Sequence, residues 1–197
     1  VPAGLWLTAV SASGLILIGL AGLVVGWAYS APPLKLQSRG LGEFAITAAW
    51  LLVVVGSDFV QRRGFDFVPV AAGLGFALLV ANVLYINQFP DVKADAGAGK
   101  NTLVVRLGVA SARWGYVLIA ALAYGWLLTM VLLGQLPVAS LIALVSVVAS
   151  IAAGRQLWSN AGSPADLSLA LKLTILAASA HGLLLAMVLS LPWSRHA

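Results

Sequence analysis

The chain has 197 residues, a net charge of +5 and no cysteine; 61% of its residues are hydrophobic, only 9% are charged, and its mean hydropathy is +1.02. A soluble domain carries roughly 25% charged residues, so this balance excludes a soluble globule, disorder, a disulfide scaffold and a cysteine zinc site. What remains is an all-α polytopic membrane protein, a single transmembrane domain over residues 1–197.

The stretches 1–34, 67–90, 114–154 and 173–194 contain no Asp, Glu, Lys or Arg. Each is long enough for at least one span of ~20 residues across a hydrocarbon core ~30 Å thick. The runs are continuous and rich in Leu, Val and Ala, without the alternation of barrel strands. They predict six helices. The first, Leu5–Trp27, has no basic flank ahead of its apolar run and so does not read as a secretory signal. Leu41–Ser57 and Phe67–Asn87 follow. Trp114–Gly134 and Leu136–Gly154 are separated only by the turn around Gly134–Pro137 and should form an antiparallel hairpin. Leu167–Leu191 is the last. The chain begins with Val1, which leads us to expect further sequence upstream.

Lys and Arg in the loops set the orientation. Lys35, Arg39, Lys93, Lys100, Arg106, Arg113 and Arg155, seven in all, fall in loops 28–40, 88–113 and 155–166, against three, Arg62, Arg63 and Arg195, on the other side. The first set is expected in the cytoplasm, with both ends of the chain outside the cell (inner) membrane. Lys172, near the start of the last helix, is read as snorkelling to the headgroups. The basic residues are juxtamembrane and no soluble domain carries them. They point to anionic lipids and an anionic substrate rather than to nucleic acid.

Two loops on the expected cytoplasmic side carry chemistry. In the segment Asn87-Gln-Phe-Pro-Asp91-Val-Lys-Ala-Asp95-Ala-Gly-Ala-Gly-Lys100-Asn-Thr-Leu-Val-Val-Arg106-Leu-Gly108, Asn87, Asp91 and Asp95 are spaced i, i+4, i+8. On a helix they stack on one face. Asp oxygens beside an Asn amide suit a hard ion such as Mg²⁺, which takes phosphate oxygens as further ligands. Lys93, Lys100 and Arg106 lie close enough in sequence to hold a diphosphate. On spacing alone, a solvated loop of mixed charge accounts for the same residues. Pro90 either opens a new helix or kinks the old one. In the other loop, Tyr29-Ser-Ala-Pro-Pro-Leu-Lys35-Leu-Gln-Ser-Arg39-Gly-Leu-Gly-Glu43, two prolines stop the first helix and hold Lys35 and Arg39 near the membrane surface. Glu43 falls where a negative charge suits a helix dipole.

Taken together, the two loops resemble the UbiA superfamily of intramembrane prenyltransferases. The wording Gly99-Lys100-Asn101-Thr102-Leu103-Val104-Val105-Arg106-Leu107-Gly108 is most similar to the 1,4-dihydroxy-2-naphthoate (menaquinone) branch. The resemblance implies burial of an isoprenyl chain among the helices, a prenyl diphosphate held through Mg²⁺, and attack of the allylic cation on an aromatic acceptor. It implies that Asp91 and Asp95 are catalytic and bind the metal with Asn87 in support. It makes Lys35, Arg39, Lys93 and Lys100 diphosphate contacts, with Tyr29 and Asn87 in the pocket wall. It also implies a nine-helix bundle with two Asp-rich motifs. This chain has six predicted spans, matching the last six in order, and one such motif. The first motif is then expected from an upstream segment or another chain, and residues 1–197 alone are expected to be inactive. The alternatives are the same fold with another acceptor, such as chlorophyllide or 4-hydroxybenzoate, and a non-catalytic membrane subunit of a larger complex.

Other marked residues read as structural. Asn82 should bond to a neighbouring helix, and His181 should be neutral and hydrogen-bonded. Asp58 and Asp66 should form a solvated cluster with Arg62 and Arg63. Asp166 belongs to a turn and helix start. Trp6, Trp27, Trp50, Trp114 and Trp193 are expected near helix ends, as in an aromatic belt.

Overall fold

The computed structural model describes residues 2–192, apart from the side chains at 164 and 165. Trp193 and Arg195 lie outside the described residues. Among the described residues the α-helices are α1 Pro2–Val10, α2 Leu15–Ser30, α3 Gly42–Arg62, α4 Val68–Gly97, α5 Leu103–Leu132, α6 Val147–Asn160 and α7 Ser168–Leu189. Tighter 3-10 stretches occupy Leu36–Arg39, Val138–Ser146 and Pro164–Leu167, the last two running directly into α6 and α7. Asp166 thus sits in the turn that starts α7, as its sequence context implies.

Among the described residues, five helices are long and apolar enough to cross a membrane: Gly42–Arg62, Val68–Gly97, Leu103–Leu132, Val138–Asn160 and Ser168–Leu189. The predicted first span differs. It is broken at Ser11–Gly14 into α1 and α2, where Ser11, Ser13 and Gly14 are poor helix formers and the Ser11 hydroxyl bonds back to the chain, Oγ to Leu7 O at 2.7 Å. The remaining α2, 16 residues long, is shorter than the other five.

Two helices run further than their apolar stretches predict. α4 continues ten residues past Asn87 with Pro90 inside it. Its 30 residues span ~45 Å against a ~30 Å core, so its last turns stand clear of the hydrocarbon. α5 starts at Leu103 rather than Trp114 and is interrupted at Gly108, whose φ of 72° and ψ of 150° are open to glycine and strained for other residues. The hairpin between α5 and the Val138–Asn160 helix is present, closed by the Gln135 N–H on Met130 O at 2.9 Å.

α4 is the central helix, packed against α3, α5 and α7. Side chains bonding to backbone carbonyls lock it to α5: Asn82 Nδ2 to Tyr116 O at 3.1 Å, Tyr85 OH to Ala112 O at 2.7 Å and Trp126 Nε1 to Ala71 O at 2.9 Å. Tyr116 OH meets Thr174 Oγ1 of α7 at 3.0 Å, and Tyr124 OH meets Ser150 Oγ of α6 at 2.8 Å. In a membrane such bonds and close packing replace the hydrophobic drive between helices. Asn82 bonds across helices as expected. His181 departs from expectation: it is fully buried edge-on to the Tyr124 ring, and neither ring nitrogen makes a hydrogen bond of normal geometry among the described residues. Trp50 also departs. It lies well inside α3 and packs at right angles on Phe76, 5.7 Å between centroids. Lys172 is exposed on α7, free to snorkel.

The loops sort to two ends. At one end Phe89, Val104, Leu157, Ala161 and Leu167 share an apolar cluster, and the Asn101 N–H bonds Ser38 O at 2.9 Å. The segments 28–40, 88–113 and 155–166 therefore meet there. At the other end Val68, Met130, Leu136 and Leu185 cluster. Arg62, at the C-terminus of α3, bridges Asp58 at 2.7 Å and Asp66 at 3.6 Å as expected.

Candidate active site

The site forms where the two motif loops meet. After Ser30 the backbone turns extended at Ala31 (φ −88°, ψ 149°), passes the proline pair and tightens into Leu36–Arg39. Gly40 follows at a φ of 66°, and a Cβ there would stand 3.3 Å from both Asn101 O and Leu103 Cδ2. Glycine is therefore needed twice over, for its conformation and for the approach of the second loop.

The overhanging turns of α4 supply the other wall. Because the helix runs unbroken to Gly97, the i, i+4, i+8 spacing holds, and Asn87, Asp91 and Asp95 line one pocket of about 140 Å³. Tyr29 enters it from the last turn of α2, Gln37 from the first loop, Gln88 from α4, and Lys100 and Thr102 from the second loop. Asp91 is exposed. Asp95 is partly buried, and its Oδ1 accepts from Lys100 Nζ at 3.0 Å. That hydrogen bond, with the charge of Asp95 behind it, holds the Lys100 ammonium above its ordinary pKa; desolvation works the other way, and Asp91 adds a further upward pull. Asn87 donates through Nδ2 to Val83 O at 2.6 Å, which leaves its amide oxygen as the atom available to a ligand.

Five of the nine residues singled out from sequence thus come together in this pocket: Tyr29, Asn87, Asp91, Asp95 and Lys100. Lys35, Arg39, Lys93 and Arg106 do not line it; the Arg106 Nε–H donates to Asn101 O at 3.0 Å. Lys35 sits in a left-handed conformation (φ 43°) ahead of the 3-10 turn. The Arg39 guanidinium donates to Pro33 O at 2.8 Å. Lys93 follows Asp91 by two positions, which carries it ~200° around the helix, and it is exposed. Three pocket residues, Gln37, Gln88 and Thr102, are neutral and carry no spacing signal.

The donor set fits Mg²⁺ in a limited sense. Two carboxylates and an amide oxygen on one helix face are hard donors of the kind this ion takes. Among the described residues, however, no group of three or more His, Cys, Asp or Glu is placed to hold a metal. The set suits an ion that arrives with water and phosphate oxygens, not one caged by the protein.

Residues 1–176, which include both motif loops, match the family model described as the UbiA prenyltransferase family. The chain is 34% identical over 136 residues to 1,4-dihydroxy-2-naphthoate octaprenyltransferase of Mycobacterium tuberculosis, covering 68% of this chain and 46% of that protein. The Bacillus subtilis protein of the same name is 28% identical over 132 residues, 66% of this chain and 42% of that one. Chloroplastic chlorophyll synthase of Arabidopsis thaliana is 31% identical over 105 residues, 49% and 25% respectively. The chain spans less than half the length of these curated relatives. No solved structure matches it. With a matched stretch this long running through both halves of the pocket, the chain belongs to the UbiA prenyltransferase family.

Proposed function

We propose that the chain forms the diphosphate-binding part of an enzyme that moves an isoprenyl group from a prenyl diphosphate to an aromatic acceptor of the 1,4-dihydroxy-2-naphthoate type. The observation that carries this reading is the single pocket in which Asn87, Asp91, Asp95, Lys100 and Tyr29 converge from three segments. In the reaction the allylic C–O bond breaks and the diphosphate leaves with the electron pair. A ring carbon of the acceptor then bonds to the allylic carbon and loses its proton. Asn87, Asp91 and Asp95 would hold Mg²⁺, which when bound neutralises charge developing on the leaving diphosphate. Lys100 moves its ammonium from Asp95 Oδ1 to a diphosphate oxygen, freeing the carboxylate as it does so. Tyr29 closes the wall beside Leu84 and offers a ring face to the allylic cation. Lys35, Arg39 and Lys93, outside the pocket, raise the local concentration of the anionic substrate. The relatives named for dihydroxynaphthoate favour that acceptor; the likeness to chlorophyll synthase keeps chlorophyllide as the second choice.

Calorimetry on the purified protein checks the site without turnover. Pyrophosphate binds only with Mg²⁺ present, and Mg²⁺ binds only with pyrophosphate. Pyrophosphate binding indifferent to the metal removes Mg²⁺ from the site. Membranes containing the active enzyme should prenylate 1,4-dihydroxy-2-naphthoate in preference to 4-hydroxybenzoate and chlorophyllide; the reverse order reassigns the acceptor.

The pocket belongs on the cytoplasmic face of the cell membrane in this reading, because seven Lys/Arg residues lie at its end of the bundle against Arg62 and Arg63 at the other among the described residues. The chain has no cysteine of its own, so Ser38→Cys and Ala98→Cys are clean probes. Both should react with an impermeant thiol reagent only once the cytoplasmic side is opened. Labelling of the two from opposite sides would break the shared pocket.

A further inference from the structure

Next to the pocket, a chain of buried polar groups ties three helices together, and the reaction outlined above makes no use of it. Glu43, in the first turn of α3, is only 7% exposed. Its Oε1 accepts a hydrogen bond from Gln88 Nε2 of α4. Gln88, equally buried, turns its Oε1 to the backbone N–H of Val104, 3.4 Å away in the first turn of α5. The orientation of the amide is over-determined: only the nitrogen can serve a carboxylate and only the oxygen can serve an N–H. Glu43 Oε2 and Thr102 Oγ1 are also buried, with no hydrogen-bond partner among the described residues.

This burial is not what a helix-start acid requires. A Glu there satisfies the dipole equally well in solvent, and a buried carboxylate is unfavourable unless it is hydrogen-bonded. The first N–H groups of α5 need partners from outside the helix. Thr102, at its N-cap, makes no side-chain capping bond, and Gln88 supplies the partner to Val104 from another helix. Gln88 lies in the same turn of α4 as Asn87 and Asp91. Thr102 and Lys100, which line the opposite wall, sit two and four residues before Val104.

We propose that Glu43 is a positioning residue of the diphosphate pocket: through Gln88 it fixes the start of α5, and with it Thr102 and Lys100, against the Asp91–Asp95 face of α4. The ligand named rests on the function proposed above; the link itself does not. Glu43 touches no substrate in this scheme, and its effect is wholly on where Lys100 and Thr102 stand.

The test uses the full 197-residue chain in detergent, with inorganic pyrophosphate and Mg²⁺ as the probe. Glu43→Ala and Gln88→Ala should each weaken binding about tenfold, as loss of a supporting hydrogen-bond partner does. The double variant should be no weaker than the weaker single, because both remove one link. Glu43→Gln, whose amide oxygen still accepts from Gln88, should recover most of the affinity. Amide exchange across 102–106, measured without ligand, should quicken in both alanine variants and not in Glu43→Gln. Unchanged affinity in a folded Glu43→Ala, additive losses in the double variant, or a Glu43→Gln as weak as Glu43→Ala would each overturn the proposal. If Glu43→Ala does not fold, Gln88→Ala against Glu43→Gln makes the same comparison. If the unmodified chain binds no pyrophosphate, the diphosphate reading fails by itself; the exchange measurement then decides the link, and unchanged exchange at 102–106 refutes it.

Discussion

Alanine at Asp91 or at Asp95 should lower turnover of the active enzyme in membranes by about 10²-fold or more, the scale expected when charge stabilisation of a transition state is lost. The two positions should reach that loss with little cost to folding. Asp91 is exposed on the overhanging part of α4 and makes no ion pair among the described residues. Asp95 makes one, to Lys100, whose side chain is 43% exposed; a pair of this kind contributes about 0–1 kcal/mol. Thermal melts of both variants should therefore stay close to that of the unmodified protein, which separates a catalytic loss from an unfolding one. The kinetic signatures should differ as well. Asp95→Ala frees the Lys100 ammonium to meet diphosphate, so it should lower kcat more than it raises KM. Asp91→Ala, with no such compensation, should affect both. Near-normal turnover in both variants would remove the pair from the mechanism.

How far the site was legible depends on which physical signal carried each residue. Asn87, Asp91 and Asp95 were legible because helical spacing is a local property, and α4 preserves it through Pro90. A proline costs a helix one N–H donor and a clash with one carbonyl. Here the turn is held by Phe89, fully buried, and by Val92 packed on the same cluster as Val104 and Leu157. Sequence left open whether Pro90 ended the helix, since that packing comes from distant parts of the chain. Lys35 and Arg39 are cations in the right loop, but the aim of a loop side chain follows backbone detail that periodicity does not encode: a left-handed Lys35, and an Arg39 tied to Pro33 O. The place of Glu43 at a helix start announces only a dipole cap. Its burial depends on Gln88, 45 positions away, and no local pattern announces it. The break at Ser11–Gly14 escaped for the opposite reason: hydropathy over a window of ~20 residues averages away two serines and a glycine among leucines.

Purified by itself, the 197-residue chain should form no prenylated product from a prenyl diphosphate, Mg²⁺ and 1,4-dihydroxy-2-naphthoate. The first reason is charge. A departing diphosphate is multiply anionic, and its loss is catalysed to the extent that the anion is neutralised in the transition state. Asp91 and Asp95 are one carboxylate pair, and among the described residues no further acid joins them closely enough to make a metal-holding group. Such a site should register pyrophosphate without meeting the charge demand of bond breaking. The second reason is exclusion of water. α2 buries Ala28 and none of its other residues, while Leu17, Leu23, Val24 and Trp27 are each at least 50% exposed. A groove of about 530 Å³ runs open between α1, α2 and α3. An allylic cation formed beside an unclosed wall is captured by whatever reaches it, and a sealed cavity is what prevents such side reactions. Both deficits would be met by one addition, further helices that bring a second carboxylate pair and cover the α2 face. Co-expressing a segment with those features should restore product. Product from the isolated chain would show that one carboxylate pair suffices and that the open α2 wall is harmless, and both the charge argument and the exclusion argument would then fall.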